Sequence, residues 1–301
     1  MKAEDKAYLG LHFAIFLWGF TAILGKLISY GEMMLVWHRL WITCISFMLI
    51  PGLWKGLRQI PRKKVFIFGG IGILVAMHWI AFYGSIKYSN ASLALSALAT
   101  SSLFTSVLEP LVTRSKIKLS DVFLGMIVIV GIGLIFSVSE VYTKGLLWGI
   151  AAAFLAALFS TLNKVHLADY EGKAVSFIEL GTGFLFLSLL LPFTVDDLSL
   201  GLIIPGQQDF WLLILLGVGC TTMPYILSLN ALRYISAFKS NLAINLEPVY
   251  GIIMAVAFLD ESKDLNGKFY AGTLLILVAV FLKPVLRYSV NKVKAVRNYK
   301  R

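Results

Sequence analysis

One carboxylate lies deep within an apolar stretch of the sequence. Glu247 is ten residues into the apolar segment Ala237–Leu259, which in a helix places it about 15 Å from the end, near the middle of a bilayer. Pro248 follows it, removes a backbone donor and disfavours helical geometry at Glu247. The pattern indicates either a proton-coupling carboxylate or a neutral glutamic acid that hydrogen-bonds a neighbouring helix beside a proline kink.

Two other carboxylates are expected to be less buried. Glu109 and Glu179 each lie four residues from the predicted end of an apolar segment, where water can reach them. Glu247 is therefore the predicted proton-coupling residue, because no other carboxylate is expected at its depth.

Aromatic and amide side chains form a second group of candidates. Trp79 and Tyr83 are four residues apart and share one face of a helix, and such a face suits planar apolar substrates around a cavity. Ordinary bundle packing is the alternative for each aromatic residue, and a hydrogen bond within the bundle is the alternative for His78. The predicted substrate-binding residues are His78, Trp79, Tyr83, Ser101, Tyr225, Asn241 and Asn245.

Two cations, Lys26 and Arg39, lie near the outer ends of the first two apolar segments. Their stems are long enough to carry the charge to the outer interface. The alternative is a positive outer vestibule that attracts carboxylates or phosphates. We predict a vestibule that contains both residues.

The composition requires a membrane to position these residues. Of the 301 residues 58% are hydrophobic and 14% are charged, whereas soluble domains have about 45–50% apolar and about 25% charged residues. Ten segments are predicted to be transmembrane helices: Ala7–Ile28, Met33–Trp54, Val65–Ile86, Ala91–Thr113, Val122–Val138, Leu146–Ala168, Val175–Phe193, Phe210–Leu232, Ala237–Leu259 and Phe269–Leu286.

The distribution of Lys and Arg sets the predicted orientation. With the N-terminus inside, 21 of the 27 fall on the inner side, 4 on the outer side and 2 within helices, as the positive-inside rule requires. Both termini are then cytoplasmic in a multi-pass protein of the bacterial inner membrane. The basic tail, residues 289–301, is expected to meet anionic lipid rather than nucleic acid.

The two halves of the sequence resemble each other. Lys87-Tyr88-Ser89-Asn90-Ala91 is echoed by Arg233-Tyr234-Ile235-Ser236-Ala237, 146 residues later, and the same offset pairs Ser101 with Glu247. Five helices per copy is an odd number, so the second copy must enter the membrane from the opposite face. We predict an all-α integral membrane fold of ten transmembrane helices in two inverted five-helix repeats, residues 1–140 and 141–288.

Several short motifs occur in a familiar order: Trp18-Gly19, Arg39, Lys87-Tyr88-x-x-Ala91, Arg233-Tyr234-x-x-Ala237, Leu246-Glu247-Pro248 and Asp260-Glu261. In this order the chain resembles the ten-helix EamA-type permeases of the drug/metabolite transporter superfamily. The resemblance implies ATP-independent export or exchange of amino acids, metabolites or drugs through a cavity between the halves. Arg114-Ser115-Lys116 departs from the family, which usually has an acidic residue after the fourth helix, so this loop is assigned no family role.

The function expected is therefore secondary active transport of a small amphipathic substrate by alternating access. The expected direction is export, and the transport is coupled to a proton or to a counter-substrate. The alternatives are a flippase for lipid-linked substrates and a non-transporting membrane sensor. An enzyme is disfavoured because the sequence contains no HExxH or GxSxG motif and no acidic metal cluster. No cofactor or metal is expected, the partners are substrate and lipid, and the assembly is a monomer or homodimer.

Overall fold

The computed structural model describes residues 3–114, 119–136, 142–167, 170–195, 200–231, 234, 243–244, 246–261, 266–279 and 281–282. Within these ranges the chain is helical and contains no strand. The helices, in chain order, are α1 (Ala3–Leu27), α2 (Glu32–Met48), α3 (Leu53–Arg58), α4 (Arg62–Tyr88), α5 (Ala91–Leu98), α6 (Ser101–Thr113), α7 (Leu119–Phe136), α8 (Thr143–His166), α9 (Gly172–Thr194), α10 (Leu200–Ile203), α11 (Gln207–Ile214), a π-helical segment (Leu215–Thr222), α12 (Met223–Ala231), α13 (Glu247–Leu259) and α14 (Gly267–Ala279).

Many of these helices are long and apolar enough to cross a bilayer. In the part of the chain that the structure describes, six stretches meet that requirement: Asp5–Leu27, Arg62–Tyr88, Ala91–Thr113, Thr143–His166, Gly172–Thr194 and Gln207–Ser228. Three shorter apolar helices are Phe123–Ile135, Glu247–Leu259 and Gly267–Ala279. The prediction of an all-helical, multi-pass membrane protein is confirmed, and the count of ten spans stays a prediction.

The second predicted segment is shorter than expected. Hydropathy predicts one helix over Met33–Trp54, but α2 ends at Met48 and the separate helix α3 follows. The break contains Pro51 and Gly52, and Gly52 has a left-handed backbone with φ of 78°. Because this conformation suits glycine and not a helix interior, the apolar run is divided at this point.

The fourth predicted segment is also divided. Its helix is interrupted at Ala99 and Thr100, between α5 and α6, and the Thr100 hydroxyl donates to the carbonyl of Ala97 at 2.6 Å.

The buried carboxylate of Glu261 accepts from the backbone N–H groups of Ala91 and Ser92, each at 2.8 Å. Glu261 therefore satisfies two of the donors left free at the start of α5.

Contacts along the helices set their relative directions. Lys87 donates to the carbonyl of Ile28, and Tyr83 hydrogen-bonds Thr21, so α1 and α4 run in the same direction. Ser29, which follows α1, bonds Asp209 of α11, whereas the other end of α1 packs at Gly10 beside Leu227 of α12. The stretch from α11 to α12 therefore runs opposite to α1 and α4.

The packing partners of the helices form a reciprocal pattern. Helix α4 packs on α8 and α9, while the π-helical segment and α12 pack on α1, and the π-helical segment also packs on α2. Helices α5 and α6 pack on α8, and α13 packs on α1. The early helices of each half of the chain thus pack on the later helices of the other half.

Helices α4 and α9 pack closely at Gly72. A Cβ atom at this position would lie 2.1 Å from the carbonyl oxygen of Glu179, a backbone atom that cannot move independently. Gly72→Ala is therefore expected to separate the two helices and to destabilise the protein by about 1–3 kcal/mol. Thermal unfolding of the purified protein in detergent measures this as a lowered midpoint.

Gly70 supplies a matched control on the same helix. Among the described residues, no atom beyond the adjacent backbone of α4 lies within 4 Å of a Cβ atom placed there. Gly70→Ala should therefore leave the midpoint unchanged or slightly raise it, because alanine favours helix more than glycine does. Equal midpoints for the two variants would contradict the close crossing at Gly72.

Candidate functional site

A guanidinium group is buried between α2, α4 and the π-helical segment. Arg39 is 4% exposed, its Nε donates to the Thr221 hydroxyl at 2.9 Å, and one Nη donates to the Tyr83 hydroxyl at 2.8 Å. Its Cζ atom lies 3.7 Å from the centroid of the Trp79 ring. A desolvated contact of this kind contributes about 2 kcal/mol or more, so the charge is held firmly in place.

The local sequence explains how these partners reach Arg39. Trp79 and Tyr83 are one turn apart on α4 and both face α2. On the other side Thr221 belongs to the π-helical segment, where its hydroxyl also donates to the carbonyl of Leu216, five residues earlier. Glycine and threonine are poor formers of α-helix, and π-helical turns occur frequently at functional sites.

The position of Arg39 corrects one expectation from the sequence. Lys26 is exposed at the end of α1 and approaches the carbonyl of Ser89 at 3.5 Å, as an interfacial lysine would. Arg39 does not reach the interface, because Thr221, Tyr83 and Trp79 retain its head group inside the protein. The two cations thus differ in burial, and an outer vestibule formed by both stays a prediction.

Glu247 is the first residue of α13. It is half-buried, Pro248 occupies the first turn of the helix, and the positive end of a helix dipole favours a carboxylate at this position. Gly19 of α1 permits the approach, since a Cβ atom there would lie 3.3 Å from the Glu247 carbonyl oxygen. The Trp18-Gly19 motif thus has a packing role.

Tyr225 connects the two charged residues. Its ring packs edge-on against Trp18 and Phe47, with centroids 6.3 Å away in each case, and it interacts electrostatically with both Arg39 and Glu247. Of the residues singled out in the sequence, Arg39, Trp79 and Tyr83 are therefore in direct contact, and Tyr225 and Glu247 each interact electrostatically with Arg39.

The remaining candidates are placed differently. The imidazole of His78 faces α8, where Nδ1 hydrogen-bonds the carbonyl of Ala152 at 2.8 Å and the ring packs on Phe159. Ser101 is the half-buried first residue of α6. Asn241 and Asn245 lie outside the described residues. A substrate-binding role stays a prediction for these four residues and equally for Trp79, Tyr83 and Tyr225.

The carboxyl group of Glu179 is more deeply buried than the sequence predicts. Glu179 is the eighth residue of α9, is only 4% exposed and hydrogen-bonds Asn163 of α8. The expectation that water reaches it is wrong, because Gly72 lets α4 pack directly over this turn of α9. Glu109 differs from it, since its side chain is 30% exposed and pairs with Lys164.

The family model and the relatives found by comparison with known proteins both point to transporters. The model of the EamA-like transporter family matches residues 5–137 and, a second time, residues 143–283. An uncharacterised transporter of Clostridium kluyveri is 22% identical over 74% of this chain and 71% of its own length. One from Helicobacter pylori is 27% identical over 76% of this chain and 78% of its own length.

A solved structure shares the fold. One protein crystal structure aligns with a TM-score of 0.64 at 15% sequence identity, covering 95% of this chain and 99% of the other. At that level of identity the likeness concerns the fold alone.

Proposed function

We propose, from the premise that the chain belongs to the EamA-like transporter family, that it is a secondary transporter that moves its substrate by alternating access. The proposed substrates are small amphipathic metabolites, amino acids or drugs, the direction is export, and the driving force is the proton gradient. The observation that carries the proposal is a buried guanidinium, Arg39, that interacts electrostatically with a carboxylate, Glu247, and with Tyr225.

The proposed mechanism uses charges of opposite sign in the two halves of the chain. Arg39 attracts an anionic or electron-rich group, and Trp79 and Tyr225 offer aromatic surface to an apolar body. Glu247 carries a proton when it is neutral and becomes the partner of Arg39 when it is ionised. A substrate and a proton can then compete for one region exposed to one side of the membrane at a time.

Two inverted five-helix repeats, residues 1–140 and 141–288, are the proposed basis of alternating access. Three observations support them: the family model matches twice, the helices pack reciprocally, and α4 and the stretch from α11 to α12 run in opposite directions. A fourth is that α6 begins at Ser101 and α13 begins at Glu247, the two residues paired by the repeat. We place both termini in the cytoplasm from the distribution of Lys and Arg.

An unbiased metabolite comparison tests this function. Cells that express the protein should accumulate less of at least one small amphipathic metabolite, and release more of it, than cells without the gene. Proteoliposomes should then concentrate that metabolite when a pH gradient is imposed. Movement of labelled lipid headgroups in place of solute would support a flippase, and no flux of either kind would overturn transport.

A further inference from the structure

Glu179 and Asn163 form a buried polar pair between α9 and α8. The two side chains hydrogen-bond each other, yet one oxygen of each, Oε1 of Glu179 and Oδ1 of Asn163, is buried and has no hydrogen-bond partner among the residues that the structure describes. A buried unsatisfied polar atom costs about 1–3 kcal/mol, and each such atom in a native structure requires an explanation. Here two of them belong to the same bonded pair.

One proton satisfies both atoms at once. An ionised carboxylate only accepts hydrogen bonds, whereas a protonated one also donates through its O–H. With the proton on Oε1, Glu179 donates to Oδ1 of Asn163 while the Asn163 amide donates to the other carboxyl oxygen. The acid and the amide then form a ring with two hydrogen bonds and no net charge.

We propose that the Glu179–Asn163 pair is a proton-binding site of this protein. The proton binds at Oε1 of Glu179 and is released to water or to another acceptor when the pair becomes exposed, and no covalent bond between heavy atoms changes. The role of the site in transport rests on the proposed function, whereas proton binding itself does not.

The charged groups around the pair leave the carboxyl group without a cation partner. Among the described residues, Lys164 pairs with Glu109, Lys173 pairs with Glu171, and Lys64 contacts His166 and the ring of Tyr170. Lys55 and Arg58 of α3 are exposed. On α2 and α4, Arg39 bonds Tyr83 and Thr221, and His78 bonds Ala152.

Tyr225 of α12 is the titratable side chain that links this pair to the site described above. It interacts electrostatically with both Glu179 and Glu247, so it lies within reach of two carboxylates that are 68 positions apart in sequence. The proposed proton-binding site and the site of Arg39 and Glu247 therefore have Tyr225 as a common neighbour in the electrostatics of the bundle.

Infrared difference spectroscopy on the purified full-length protein in lipid tests the site without a substrate. A change from low to high pH should remove a carbonyl stretching band of a protonated carboxylic acid, and this band should shift in D₂O. Glu179→Gln, which keeps the shape and both hydrogen bonds to Asn163, should lose the band. Asn163→Leu should move its frequency, because the O–H group loses its acceptor.

Matched variants separate the possible outcomes. Glu109→Gln alters a surface carboxylate and should keep the band, and Glu247→Gln should also keep it, so a failure of the proposed role of Glu247 does not affect this test. A spectrum of Glu179→Gln equal to that of the unmodified protein would overturn the proposal. Removal of the band by added Na⁺ at constant pH would also overturn it, by making the pair a metal-ion site.

Discussion

Glu247→Gln is expected to abolish accumulation of substrate driven by a pH gradient, with passive exchange retained. Glutamine keeps the size and the hydrogen bonding of the side chain but cannot ionise. Glu247 lies at the start of α13 beside Pro248 and acts electrostatically on Arg39. A side chain that cannot gain and release a proton therefore removes the step that couples the proton to the substrate. The expected loss is at least about tenfold, which corresponds to about 1.4 kcal/mol.

The measurement uses proteoliposomes loaded with the metabolite found in the cellular comparison. Net uptake under an imposed pH gradient and exchange of labelled for unlabelled substrate without a gradient are recorded for each variant. Glu109→Gln is the matched control, because its carboxylate pairs with Lys164 at a partly exposed position, and it should transport normally. Uptake by Glu247→Gln at the unmodified rate would make Glu247 a structural residue.

The sequence predicted the class of fold because lipid imposes a simple requirement. A helix must satisfy its own backbone hydrogen bonds in hydrocarbon, so long apolar runs such as Thr143–His166 and Gly172–Thr194 are visible in hydropathy alone. The break after Met48 and the break at Ala99 and Thr100 were not visible. Hydropathy averages over a window, whereas these breaks depend on Gly52 and on local hydrogen bonds of single residues.

The candidate site could be predicted only in part, because burial depends on neighbours that are distant in sequence. Glu247 was located by its depth and by Pro248, both of which are local properties. The depth of Glu179 was judged from its distance to a helix end, but its exposure is set by Gly72 of α4, more than a hundred residues earlier. The oxygens of Glu179 and Asn163 that lack a hydrogen-bond partner among the described residues can be recognised only when both helices are in place.

The position of the Arg39 head group could not be predicted from the sequence for a similar reason. An arginine stem is long enough to reach the interface from this depth, and the sequence does not show which direction it takes. The direction is decided by Trp79 and Tyr83 on α4 and by Thr221. The π-helical register that carries Thr221 could not be read from the composition of one segment, which is compatible with an ordinary α-helix.

Arg39→Lys is expected to reduce transport at least about tenfold while the protein still inserts and folds. An ammonium group is a compact point charge and does not reproduce the planar fork of a guanidinium. Lysine cannot bond the hydroxyls of Thr221 and Tyr83 together while its charge rests on the Trp79 ring at the 3.7 Å observed for arginine. Each lost bond to a charged group costs about 1.5–3 kcal/mol, so one lost bond is enough to produce the tenfold effect.

Lys26→Ala is the matched control for the charge of Arg39. Lys26 is exposed, so its removal should change the initial rate of uptake only slightly, and the small effect should shrink at high salt, which screens exposed charges. If both cations formed an outer vestibule, the two substitutions would instead reduce the rate of uptake by similar factors and with a similar dependence on salt. If Arg39→Lys transports normally, the buried guanidinium serves to hold α2, α4 and the π-helical segment together, and the substrate must be recognised elsewhere.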